Sequence, residues 1–239
     1  MKLRITVHQA RLGSQEFIVI RPAPRLLRAV LIDHDLHLGA YLDEEAAEHI
    51  GGLWTLAATS PRSLIHFPLR GNPNPTRELD GPGTRQLDLV LHHRSLPFAP
   101  SHWQEVRGRL DPGRVQTVTL ASSGAATSLA MGRRARRSRE SIDYFHQHLH
   151  AETLLMSGNA KTFRESAHHF LDVAHRGPEH AADRTDRTDR TDRTGLADRR
   201  HFRTALRPEG AAPGRAREMR LEYCDAWEPS GDRQAPCRS

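Results

Sequence analysis

Between Lys2 and Gln9 apolar side chains take every second place, Leu3, Ile5 and Val7, with Arg4, Thr6 and His8 between them. A period of two marks a half-buried strand. Arg11–Ser14 supplies a turn and Glu16–Ile20 a second strand, so a hairpin is expected. Pro22 and Pro24 break the pairing. Leu26–Ile32 is a third apolar run, Asp33-His34-Asp35 a polar corner, and Leu36–Leu42 alternates again. Asp43 is then placed to cap a helix with Glu44 and Glu45 in its first turn, where the helix dipole favours acid. Ala46, Ile50, Leu53, Trp54 and Ala57 form its apolar face. Gly51-Gly52 costs about 1 kcal/mol per Gly relative to Ala, which points to close packing or a bend. Leu64–Leu69 reads as a strand, and Pro68 argues for an edge position. After a Gly/Pro/Asn loop, Leu87–His93 is a strand with Leu87, Leu89 and Leu91 inward. Ser101 opens a short helix carrying Trp103, Val106 and Leu110, and Val115–Leu120 is a further strand.

The pattern changes at Ser138. Ile142, Phe145, Leu149 and Met156 fit one helical stripe, and Phe163, Ala167, Phe170, Leu171 and Ala174 fit another. Thr162 and Glu165 have capping-box spacing, Ser157-Gly158-Asn159 reads as the turn, and Gly177-Pro178 as the stop. An antiparallel helical hairpin over 138–178 is expected. Asp183–Thr194 repeats Asp-Arg-Thr four times without a large apolar residue, so it cannot repay its ordering entropy. Phe202–Leu206 and Glu218–Tyr223 read as two strands returning to an edge of the first sheet.

The expected fold class is α+β. A mostly antiparallel sheet with two helices (1–120) is followed by an Arg-rich linker (121–137), the helical hairpin packed on the sheet (138–178) and a disordered repeat (179–198). A C-terminal β-hairpin (199–228) and a disordered tail (229–239) complete the division.

Composition changes the picture little. At 239 residues, with 37% hydrophobic residues, 17 Gly and 15 Pro, the chain is expected to order over only part of its length. No run approaches the ~20 apolar residues of a membrane span, and Met1-Lys2 leads into alternating residues rather than an apolar signal core. A cytoplasmic protein without membrane contact is the expectation. Cys224 and Cys237 form neither a disulfide framework nor a zinc spacing. The formal charge of +6 is almost entirely Arg, and its excess gathers in Arg133, Arg134, Arg136, Arg137 and Arg139. A nucleic-acid reading therefore rests on that one cluster, which has no aromatic residues around it for stacking.

Candidate chemistry is sparse. Asp33, Asp35 and His37 follow an apolar strand, and together with His34 they offer carboxylate and imidazole ligands for a metal if three or four converge. The competing reading is a polar hairpin corner. Asp143-x-x-His146 and Glu165-x-x-His168 have the spacing of di-iron helices, but folding a hairpin about Gly158 offsets the pairs by about 9 Å, against about 4 Å between paired metals. His146 and His150 would share a helix face at i, i+4, without the Glu of a metalloprotease between them. No nucleotide, cofactor or nucleophile-elbow motif occurs, so no cofactor is implied. On a helical reading Tyr144 and Leu155 form a second row, opposite the main stripe, available to a protein partner or a second copy. The resulting expectation is a non-enzymatic binding or protein-interaction protein. The alternatives are a metal-dependent enzyme or metal-binding protein using Asp33, Asp35 and His37, and a weak nucleic-acid binder through 133–139.

Overall fold

The computed structural model describes residues 1–75, 83–120, 145–185, 202–206 and 217–227. The described residues form eleven strands and three α-helices, a mixed arrangement of α+β type. Strands β1 (Lys2–Leu12) and β2 (Gln15–Pro22) make the expected hairpin, with Gly13 at φ +61° in its turn. They are followed by β3 (Ala29–Asp33), β4 (Leu38–Leu42), helix α1 (Glu44–Thr59), β5 (Ser63–Phe67) and β6 (Arg85–His93). A 3-10 turn (Pro100–His102) leads into α2 (Trp103–Gly108) and β7 (Arg114–Thr119). Then come β8 (His146–His150), β9 (Thr153–Gly158), α3 (Ala160–Thr185), β10 (Arg203–Leu206) and β11 (Met219–Tyr223).

The strands join in the order β10-β11-β4-β3-β6-β5-β2-β1-β7, with β9 also paired to β6 and β8 to β9. Most pairs are antiparallel, while β2–β5, β4–β11 and β6–β9 are parallel. Strand β6 is the hub. Its first three residues pair with β3, Leu89–His92 pair with β5, and Asp88–His93 pair with β9.

Helices α1 and α3 cover one face of the sheet and enclose the main core, in which Trp54 meets Phe145, Phe163 and Phe170. Asp43 caps α1 by accepting the Ala46 N–H at 2.8 Å. Gly51-Gly52 serves close packing. A Cβ on Gly51 would lie 3.2 Å from the Leu171 and Phe170 side chains of α3, and one on Gly52 2.8 Å from Leu3 of β1. On the opposite face α2 seals a smaller core around Phe17, Val19, Leu64, Val90, Trp103 and Val106.

Three expectations are corrected. First, the described part of the expected helical hairpin (138–178), from Phe145 onward, is a β-hairpin followed by one helix. His150 pairs with Thr153 across a two-residue loop, and Thr153–Met156 is fully buried as a strand beside β6. The apolar spacing of 142–156 fits a helix, but burial on both faces of a sheet favours β9. Second, Gly177-Pro178 does not stop α3. The helix runs on to Thr185, into the segment assigned to the disordered repeat. Phe202 holds this extension, with Arg176 over its ring at 5.2 Å and His180 stacked on it at 5.3 Å. Third, β5 is not at an edge; it lies between β2 and β6, because Pro68 falls just beyond the strand. The linker 121–137, the repeat from 186 onward and the tail from 229 lie outside the described residues. No described helix is long and apolar enough to cross a membrane.

Candidate functional site

The corner singled out by sequence does not gather its side chains. Asp33 ends β3 and is 1% exposed. Its Oδ2 accepts from Arg85 Nε at 3.2 Å and Nη2 at 3.1 Å, and from Arg217 Nη2 at 3.3 Å; its Oδ1 accepts from Arg217 Nη1 and from the Asp35 N–H at 3.1 Å. Burial works to raise the Asp33 carboxyl, but Arg217, the Asp35 N–H and Arg85 together hold it below the ordinary carboxylate range. Asp35 is exposed at φ +63°, and His37 stacks on His34 with ring centroids 4.9 Å apart. His34 in turn meets the Tyr41 hydroxyl at 3.3 Å above Gly39, whose missing Cβ leaves room for the ring. Two guanidiniums thus take up Asp33, and His37 is committed to a ring stack. Among the described residues no three His, Cys, Asp or Glu side chains are placed to hold a metal ion.

Leu155, expected on a free helix row, is 1% exposed in the smaller core, so it is not available to a partner. Tyr144 and the basic cluster Arg133, Arg134, Arg136, Arg137 and Arg139 lie outside the described residues.

A second polar cluster was missed in the sequence. His66 on β5 and Asp88 on β6 are 1% and 6% exposed, beneath the fully buried Trp103 of α2. Arg21 Nε donates to His66 Nδ1 at 3.0 Å. The neutral ring therefore carries its proton on Nε2, which faces Asp88 Oδ2 at 3.8 Å, ion-pair range but too long for a hydrogen bond. Asp88 also accepts from the Arg70 N–H at 3.0 Å and from Arg107 Nη1 at 3.3 Å. Burial drives the His66 pKa down against the pull of Asp88. For Asp88, burial pushes upward, but His66 and the Arg70 N–H outweigh it and hold the carboxyl low. Trp103 stands edge-on to His66 at 4.8 Å.

A His–Asp pair with shifted pKa values resembles an acid–base dyad. A general base must reach the proton it abstracts. Here Nδ1 is taken by Arg21, Nε2 faces Asp88, and Trp103 closes the approach. The arrangement is a brace joining β2, β5, β6 and α2, extended by the Arg70–Glu152 ion pair to the β8–β9 turn. The sequence signal for it was modest: a single ionisable residue within each of two apolar runs, His66 in Leu64–Phe67 and Asp88 in Leu87–Leu91.

The exposed features lie elsewhere. Arg28, Asp43, Glu44, Glu45, Glu48, Tyr223 and Asp225 line an open, mostly acidic cleft of about 420 Å³ at the start of α1. At the end of the sheet, β7 pairs with β1 and, among the described residues, with no other strand. All its residues except Val118 are exposed, Val115 by 57%. The register sets Lys2 opposite Thr119, Arg4 opposite Thr117 and Thr6 opposite Val115, so one face of this end carries Lys2 and Arg4 beside two threonines. Both cations are exposed, as is Arg114 at the start of the strand.

No protein-family model, curated protein or solved structure matches the chain.

Proposed function

We propose that the protein acts by binding rather than catalysis, and that β7 receives an extended, acidic segment of a partner protein as an added strand. The observation that carries this reading is a regular six-residue strand, exposed at every residue but Val118 and bonded along one edge only, among the described residues. Such an edge offers a row of N–H and C=O groups to another chain. Val115, Thr117, Val118 and Thr119 are β-branched and suit pairing, and beyond Arg114 at its start the strand carries no Pro and no charge. Lys2 and Arg4 on one face set the preference for acid, since charge complementarity selects partners and register; Arg114 is paired with Val7 and lies on the other face. The two buried clusters, Asp33 with Arg85 and Arg217 and His66 with Asp88, support a non-catalytic role, because their side chains are engaged with one another and closed to a substrate.

The metal reading at Asp33, Asp35 and His37 has less support, because Arg85 and Arg217 already occupy the Asp33 oxygens. The nucleic-acid reading rests on residues outside those described.

The test is fluorescence anisotropy with a labelled hexapeptide alternating Val and Glu, against one alternating Val and Lys. The acidic peptide is expected to bind about tenfold more tightly, and less so at high salt. Exchanging Lys2 and Arg4 for Glu, both at exposed positions on one face, should reverse that order. Equal or absent binding of both peptides overturns the acidic-strand reading. Concentration-dependent dimerisation that is lost in Val115→Lys would also overturn it, and would make a second copy the occupant.

A further inference from the structure

A helix and a strand sort the same histidines differently. On a helix His146, His148 and His150 point in different directions; on β8 they fall at alternate places and share one face. The register puts His146 opposite Ser157, His148 opposite Leu155 and His150 opposite Thr153. The residues between them fix this orientation from the other face. Leu149 packs against the main core, while the Gln147 side chain donates to the Arg217 carbonyl and accepts the Arg217 N–H, both at 2.9 Å. His146 and His148 are exposed and His150 half-buried. The rings of His148 and His150 already lie roughly parallel, with centroids 6.3 Å apart.

We propose that this histidine row binds a late divalent transition-metal ion, Zn²⁺ or Cu²⁺, through two neighbouring imidazoles. Residues two apart on a strand are separated by about 6.7 Å, a span two imidazoles can close onto one ion at metal–nitrogen distances of about 2.0–2.1 Å. Residues four apart, at about 13 Å, cannot both reach the same ion. The ion is therefore held by His146 with His148 or by His148 with His150, and His148 belongs to both pairs. Water completes the coordination. This is a two-imidazole chelate, distinct from a three-residue cluster. Imidazole suits Zn²⁺ and Cu²⁺, and the usual order of affinities places Cu²⁺ above Zn²⁺. A short histidine-rich tract is a recognised compositional mark of such binding.

The test is isothermal titration of the untagged full chain with Zn²⁺ alone and with Cu²⁺ alone. Binding of one ion, tighter for Cu²⁺, is expected. His148→Ala should weaken it by at least about tenfold. His148→Tyr keeps strand propensity without a nitrogen ligand and should do the same, which separates ligand loss from any loss of the hairpin. His146→Ala and His150→Ala should each cost far less, since each leaves one pair intact. Absence of binding by both ions overturns the proposal. So does unchanged affinity in both His148 variants, or binding lost in His37→Ala and kept in His148→Ala.

Discussion

His169 lies where α3 meets β10, its Nδ1 2.7 Å from the Thr204 hydroxyl. Burial first, and then the neighbouring His168, lower its pKa from 6.5 to about 4. The fold therefore favours the neutral ring. Its contribution to stability is fully present above the unfolded value and is lost as the pH falls from about 6.5 toward 4. His66 has the same sign, since burial lowers it too. The melting temperature should thus fall as the pH drops through that window, and His169→Gln, which removes the titrating group, should flatten part of the slope. Thermal melts between pH 7 and 4 check this, and identical slopes in the two proteins would contradict it. Neither histidine was legible as special in the sequence. His169 sits on a helix flank whose covering strand is distant in the chain, and His66 sits in a strand whose second face is covered only because α2 folds back over it.

The β8–β9 hairpin shows which elements could be read and which could not. Alternation made β1 and β6 plain, and the Asp43 cap made α1 plain. The turn at Ala151-Glu152 carries no Gly, Asn or Pro, yet both residues have positive φ, +45° and +58°. With the usual turn signal absent, the apolar residues of 142–156 fitted a helical template instead. The histidine row was lost with it, because its members align only on a strand. The same turn supplies a test whose sign depends on the fold. A non-Gly residue in the left-handed region costs roughly 1–2 kcal/mol, partly offset in Gly by its extra chain entropy. Ala151→Gly should therefore stabilise the protein by about 0.5–1 kcal/mol in chemical denaturation. In a helix the same change would destabilise by about 1 kcal/mol.

At the scale of the whole molecule, the sheet is finished differently at its sides. One face is closed by α1 and α3, part of the other by α2, and β11 is flanked by β4 and β10. Strand β7 is regular in its pairing to β1 and exposed at every residue but the half-buried Val118. Its role as a docking edge is the central claim, and residue-resolved amide hydrogen exchange over Arg114–Thr119 tests it most directly. In an antiparallel pair alternate N–H groups face the partner strand. In the free protein, the amides turned toward β1 should exchange slowly and those between them quickly. Saturation with the Val/Glu peptide should slow the fast set and leave the other set unchanged. Slow exchange of all six amides in dilute free protein, or a fast set that the bound peptide does not slow, would contradict the claim.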